Sequence, residues 1–582
     1  MKIFHGAFHL LPVLGNYGPI FGDLMLSSQT FKRQKCVQQS NPIKHVVIVG
    51  GGTAGWLTAG LLAARLSSRI NNSELTFTLC ESPDMPTVGV GEGNWPTLRS
   101  TLHTIGISET DFIRHCNVLF KQGSRFIHWE NEHSSQYDHP FDVPEQASHG
   151  AQAQHWLHTN KHVPFSQAYC LQSALANQHL APKLITTPEY SGFANYGYHL
   201  DAGLFAKLLR EHCVNNLQVK HISARVKHVI QDPNGDISGL QLAEAEAKAK
   251  AKAKAKAKAK RVPTTKPPTT NSLLTHLTGD LFIDCTGFSA LLLGKTLGVK
   301  NTPVNDVLFA NNAIATHVPY ATDQEPIESF TLSTAQNSGW IWDIGLPNRR
   351  GVGYVYSDRY TDDESAKDTL LQYIQQRHQD TDSLAFKHIR FTPGYKQQFW
   401  KHNCVAIGLS AGFIEPLEAS AIVLVEMSAN MLAEQFPATR QSMGIVAERF
   451  NQTFAYRWQR IIDFLKLHYV LSKRTSAFWK DNRAERSIPA SLKKLLLMWR
   501  HKVPDIADFP ARDEVFQAAS YQFVLYGAGF KSNLLCTPDP QTMQAAEQLF
   551  SSIQGFTTQL TDKAISNRSL INKIHKFGLQ KF

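Results

Sequence analysis

Apolar positions along the chain fall into two periods, short continuous or alternating runs that read as strands and longer stripes at helical spacing. Val46, Val47, Ile48 and Val49 form a buried-strand run ended by glycine, and residues 57–66 continue as an apolar helix. A second strand is predicted over 75–80, helical spacing over 97–120, and a strand over 125–129. A helix then starts at about Asp201, whose carboxylate suits an N-cap ahead of Leu204, Phe205, Leu208 and Leu209. Strand patterns follow at 218–230, 237–242, 279–287, 309–318, 328–332 and 404–407, with a helix from about Glu418. Beyond Ile422 the spacing is mainly helical, and Phe450, Phe454, Trp458, Ile461 and Leu465 share one apolar face. This order predicts an α/β + α fold, a Rossmann-like module followed by a mainly helical C-terminal region.

The turn after the first strand carries chemistry. Gly50, Gly52 and Gly55 supply G-x-G-x-x-G between a strand and a helix, with Thr53 and Ala54 inside the motif. Gly50 permits the tight turn, Gly52 admits a pyrophosphate to the backbone, and Gly55 lets helix and strand approach. The phosphates then meet a helix N-terminus. Glu81, at the end of the second strand, suits a ribose 2′-hydroxyl, which points to FAD or NAD rather than NADP. In the following loop Gly89, Val90 and Gly91 bring backbone amides close to a flat ligand.

Composition narrows the classes. A chain of 582 residues holds two or three structural units. The formal charge of +11 includes seven lysines of the alternating Ala-Lys run at 248–260, and the remaining +4 implies no nucleic-acid partner. One face of that run is alanine and the other mostly lysine, so 243–270 is expected to be a solvated low-complexity insertion in a hairpin. The eight cysteines include no C-x-x-C pair and no metal-ligand spacing, which favours a reducing cytoplasm without a metal site. Residues 1–43 are expected to be a disordered extension: the apolar run 3–14 is broken by His5, Gly6 and His9, and lacks an A-x-A cleavage pattern or twin arginine. No apolar stretch reaches about 18 residues, so no membrane span is expected.

GGGTAGW, then VGVGE-xxx-P, then NVLFK-xxx-RFIHW resembles the flavin-dependent tryptophan halogenases in order and spacing, over about 43–485. The resemblance implies an FAD-binding Rossmann-like fold of the PHBH/GR2 type, with a core at 44–420 and a helical substrate-side domain at 421–582. It implies that Lys121 receives hypohalous acid, that Glu418 in EPLEASA stands near it, and that the amides of Ser420 and Ala421 hold the halide. A helix N-terminus suits an anion, although A-S-A replaces the commoner S-T-G here. Trp340 and Trp342, in W-x-W-x-I, are implied to bar the substrate from the flavin, with Gly345 where the family has proline. His139 and Phe141 are implied to lie against the substrate. On residues alone, a Trp pair at period two reads as core and an isolated lysine as surface; the motifs reverse both readings.

The implied reaction uses FADH2 from a separate NAD(P)H-dependent flavin reductase, chloride or bromide, and a small aromatic substrate such as an indole. A homodimer is compatible with this reading. Two alternatives compete, a flavin-dependent aromatic monooxygenase and a non-catalytic FAD-bearing module. The set Lys121, Trp340 and Trp342 discriminates against both. The hydroxylases usually carry Gly-Asp after the late strand, whereas Leu409 follows Gly408 here.

Overall fold

The valine-rich run forms the strand β1 (His45–Val49) in a computed structural model of the chain, because four side chains without polar atoms can be covered on both faces at once. The structure describes residues 41–84, 91–133, 135–143, 150–159, 161–244, 275–535 and 539–581. Residues 1–40, most of the Ala-Lys insertion, Gly89 and Val90 lie outside the described residues.

The strands in chain order continue with β2 (Thr76–Glu81), β3 (Glu92–Gly93), β4 (Leu119–Lys121), β5 (Gly123–Ile127), β6 (Gln136–Pro140) and β7 (Gly197–Leu200). Next come β8 (Lys220–Gln231), β9 (Ile237–Glu244), β10 (Thr275–Thr278), β11 (Leu281–Asp284), β12 (Asn301–Pro303) and β13 (Asn312–Pro319). The set closes with β14 (Phe330–Gln336), β15 (Gly339–Gly345), β16 (Arg349–Tyr356), β17 (Lys387–Arg390), β18 (Gly394–Lys396), β19 (Trp400–Lys401), β20 (Cys404–Ala406) and β21 (Gly412–Phe413).

Eight of them form the sheet β10-β9-β8-β2-β1-β11-β20-β19, parallel through its centre from β8 to β20. The helix Thr53–Arg65 packs on it beside the helices Ala202–Asn216 and Ser420–Glu434. A seven-stranded sheet, β17-β13-β16-β15-β14-β5-β6, stands apart from the first, and the short sheet β3-β7-β4 carries Lys121 on an edge strand. The C-terminal region is helical as predicted, led by Arg440–Leu471, Ala518–Gly527 and Pro540–Thr561. Phe450, Phe454, Trp458, Ile461 and Leu465 are all buried. Residues 41–582 form one compact unit, and the helix Ser420–Glu434, beyond the expected core, lies against the nucleotide-turn helix. No helix among the described residues is long and apolar enough to cross a membrane.

Two expected helices are corrected. The span 97–120 is two helices and a strand, because Gly106 takes φ +87° and closes Thr97–Ile105. Ser108 then caps Glu109–His115 by accepting from the Asp111 amide, and β4 follows. The helix expected from Glu418 starts at Ser420 instead, since Glu418 and Ala419 both adopt left-handed backbone, φ 66° and 54°. Asp201 caps its helix as expected, accepting from the Leu204 amide at 3.0 Å. Gly345 ends β15 in register with Arg350, so the missing proline does not open the hairpin.

Candidate active site

The glycine turn joins β1 to its helix under steric demand. Gly50 has φ +114°, and a Cβ there would fall 2.1 Å from the Cys285 carbonyl oxygen; one on Gly55 would fall 1.9 Å from the Gly50 oxygen. A Cβ on Gly52 would meet nothing within 4 Å, so that face of the turn opens into a cavity of about 1160 Å³. Glu81 lies directly over Gly51, with Oε1 2.8 Å from His221 Nε2. Thr53, Ala54, Glu81 and Gly91 line the same cavity, while Gly55 is tucked beneath the turn. An open helix N-terminus beside a carboxylate fits the phosphates and ribose of a dinucleotide.

The same cavity runs past Trp340 and Trp342 to Lys121, Glu418, Ser420 and Ala421. The two tryptophans project from one face of β15, their ring centroids 6.4 Å apart. Trp342 lies against Gly353 of β16, where a Cβ would fall 2.2 Å from its ring, so glycine sets the indole's place. The Trp340 N–H donates to Glu415 Oε2 at 2.8 Å, and the Tyr469 hydroxyl donates to the same oxygen at 2.6 Å. Glu415 is 1% exposed, and burial raises its pKa against those two hydrogen bonds. Sequence reasoning missed Glu415, although its signal was present as an acid two residues into an otherwise apolar stretch after Phe413.

Lys121 is fully buried, and its Nζ makes no hydrogen bond. Burial lowers its pKa to about 8, against the opposing pull of Glu418. Its ammonium stands 5.2 Å from the Phe141 ring centroid. Across from it, the His139 Nδ1–H donates to Glu418 Oε1 at 2.8 Å, and His468 Nε2 lies 3.3 Å from that oxygen without hydrogen-bond alignment. Burial opposes the Glu418 charge, but His139 and then His468 outweigh it and hold the carboxyl well below the usual range. His468 itself titrates below the ordinary imidazole because burial outweighs the attraction of Glu418. The Trp95 N–H holds the Glu418 carbonyl at 2.8 Å and so supports the left-handed backbone there.

His139 and Phe141 lie outside the cavity lining but touch its Lys121 end, the first on Glu418 and the second beside Lys121. His468 was missed by sequence reasoning; it sits three residues past Leu465 on the apolar face of Arg440–Leu471, where a histidine signals a buried partner. Ser420 and Ala421 open the helix Ser420–Glu434, which has no acid in its first turn after the Glu418–Ala419 bend. Its free amides and dipole favour an anion facing the cavity.

Comparison with known proteins gives a consistent result. The sequence profile of the tryptophan halogenase family matches residues 45–538. The tryptophan 6-halogenase ThaL of Streptomyces albogriseolus is 30% identical over 570 residues, covering 92% of this chain and 99% of that protein. The tryptophan 7-halogenase RebH of Lentzea aerocolonigenes is 28% identical, with the same coverage of both chains. Among solved structures, a tryptophan halogenase from Shewanella frigidimarina is 42% identical, covers 93% of this chain and 99% of its own, and superposes with a TM-score of 0.84. BrvH, a flavin-dependent halogenase from Brevundimonas sp., is 29% identical over 91% of this chain and 99% of its own, with a TM-score of 0.76.

Proposed function

The chain belongs to the tryptophan halogenase family, and from that premise we propose that it is an FAD-dependent halogenase that transfers chlorine or bromine to a small aromatic substrate through Lys121. The observation that carries this reading is the single cavity with a dinucleotide turn at one end, two tryptophans along its wall and a buried, unpartnered lysine at the other end. Gly50, Gly52, Thr53, Ala54 and Glu81 would hold FAD, with Gly55 allowing the close turn and Gly89, Val90 and Gly91 the flavin ring. Reduced flavin, delivered by a separate reductase, would supply with dioxygen the oxidation of halide to hypohalous acid.

The chain's own residues then divide the work. The Ser420 and Ala421 amides would hold the halide at their helix N-terminus. Trp340 and Trp342, fixed by Glu415 and Gly353, would deny an aromatic ring access to the flavin. Lys121 would hold the electrophile, and its pKa near 8 leaves part of the amine neutral at physiological pH. Glu418, kept ionised by His139, would position the electrophile or accept the proton lost from the ring. His139 and Phe141 would orient the substrate beside one carbon, which is how position rather than added reactivity yields regioselectivity.

The direct test supplies reduced flavin, oxygen and chloride or bromide with a panel of indoles and detects products by mass spectrometry. Halogenated indole is expected; a hydroxylated product without halogen would favour the monooxygenase. The barrier has its own prediction. In Trp340→Ala, hydrogen peroxide released per flavin oxidised should rise about fivefold or more as the shielded site opens. FAD affinity should be unchanged, and unaltered coupling would reduce the tryptophans to core packing.

A further inference from the structure

Cross-strand register places an unexpected row of hydroxyls beside the halogenase site. Ser333 of β14 pairs with Trp342 of β15, Thr331 pairs with Ser124 of β5, and Ser124 pairs with His139 of β6. Paired residues point to one face, and Thr331 and Ser333 share it by strand period. That face therefore reads Trp342, Ser333, Thr331, Ser124, His139 from the tryptophan barrier to Glu418. All but His139 line the cavity.

The hydroxyls are not explained by packing. Ser124 and Ser333 are each 3% exposed, and both line the cavity. Facing the cavity, these hydroxyls can exchange hydrogen bonds with whatever occupies it, which alanine or valine at the same positions beside Trp342 and Phe126 could not. Thr331 Oγ1 is 2.8 Å from His199 Nε2. Burial and the neighbouring Lys121 keep His199 neutral, so no second cation stands here to retain an anion. Lys121 Nζ, Thr331 Oγ1 and His199 Cδ2 converge over Gly93, at 3.1, 3.4 and 3.5 Å from where its Cβ would be.

We propose that Ser333, Thr331 and Ser124 are positioning residues that pass hypohalous acid by hydrogen bonds from the tryptophan barrier to Lys121, with His199 orienting Thr331. This rests on the halogenase reading and adds to it a route. Hypohalous acid is neutral, with one O–H donor and an acceptor oxygen, and a hydroxyl can serve either. No bond changes along the row; the oxidant arrives intact. At Lys121 the neutral amine takes the halogen from the acid, forming N–X and releasing water.

The test uses Thr331→Val, an isosteric change, and the triple variant Ser124→Ala, Thr331→Val, Ser333→Ala, with Thr331→Ser as the conservative control. In the first assay, flavin-free protein at pH 8 meets one equivalent of hypochlorous acid, and peptide mapping compares chlorination of Lys121 with that of the exposed Lys44. The triple variant is expected to lower the Lys121 to Lys44 ratio about fivefold or more, and Thr331→Ser to restore most of the Thr331→Val loss. In the second, complete enzyme with flavin, halide and indole is read for product per flavin oxidised and for oxidant caught by a dissolved scavenger. Product should fall about tenfold in the triple variant while scavenged oxidant rises, with FAD affinity intact. Wild-type behaviour of Thr331→Val and the triple variant in both assays would overturn the route and leave the hydroxyls as water ligands. Wild-type enzyme and Lys121→Met run in parallel separate the two readings: no halogenated product from the wild type removes the halogenase reading, product surviving in Lys121→Met removes the lysine as carrier and the route with it, and product lost in Lys121→Met but kept in the row variants removes the route alone.

Discussion

A Lys121→Met variant is expected to bind FAD and oxidise reduced flavin as the wild type does, yet to form no halogenated product. Methionine matches the length and apolar body of the lysine but has no amine, and only the second half of the proposed reaction needs one. The fold should tolerate the change because Lys121 makes no hydrogen bond that methionine would break. Stability should even rise at neutral pH. A lysine whose pKa falls from 10.5 unfolded to about 8 folded is destabilising wherever it must carry a proton, by roughly 3 kcal/mol below pH 8. That cost shrinks as pH rises from about 8 and is gone above 10.5, so the gain in Tm of the variant should vanish over the same window. Thermal scans across pH and product analysis together check the assignment. Halogenation at the wild-type rate would sink it.

The sequence revealed the parts of this site that depend on missing side chains and on motif order. Gly50 and Gly55 are legible because no other residue avoids the Cys285 and Gly50 carbonyl oxygens, and a strand before them and a helix after them give the turn its meaning. Lys121 was legible only through its motif, since an isolated lysine after one phenylalanine carries no sign that β7 will bury it. Glu418 lines the same cavity as Lys121, but not on the helical backbone expected of it. Helical spacing cannot reveal two successive left-handed residues, which Trp95 supports from 323 positions away in sequence. Glu415, His468 and the hydroxyl row escaped for the same reason. Their significance is a partner or a register, Trp340 for the first, Glu418 for the second, and Trp342 opposite Ser333 for the third, and such pairings exist only after the sheets assemble.

Indole should be a far better substrate than free tryptophan, by about 100-fold or more in kcat/KM, which is near 3 kcal/mol of transition-state binding. An α-amino acid brings a carboxylate and an ammonium, and both need partners once water is removed. Around His139 the side chains are aromatic: Phe464 and Phe516 stack at 3.8 Å with 17° between planes, and Trp95 meets Phe516 edge-on at 5.0 Å. Two charged groups next to this cluster already have partners. Glu514 accepts from the Tyr456 hydroxyl, and Arg460 pairs with Asp463 at 2.5 Å. Tyr521 and Tyr526 are 1% and 4% exposed and belong to the core, the first stacked on Phe509 and the second packed against Trp156 and Phe165. Glu418 and His139 hold each other, and in the proposed reaction Lys121 holds the electrophile. An indole without the amino-acid backbone loses nothing in such a site, whereas tryptophan leaves two charges uncompensated. Steady-state comparison of the two at one halide concentration decides the matter, and a specificity constant much higher for tryptophan would mean that residues elsewhere in the chain grip its charges.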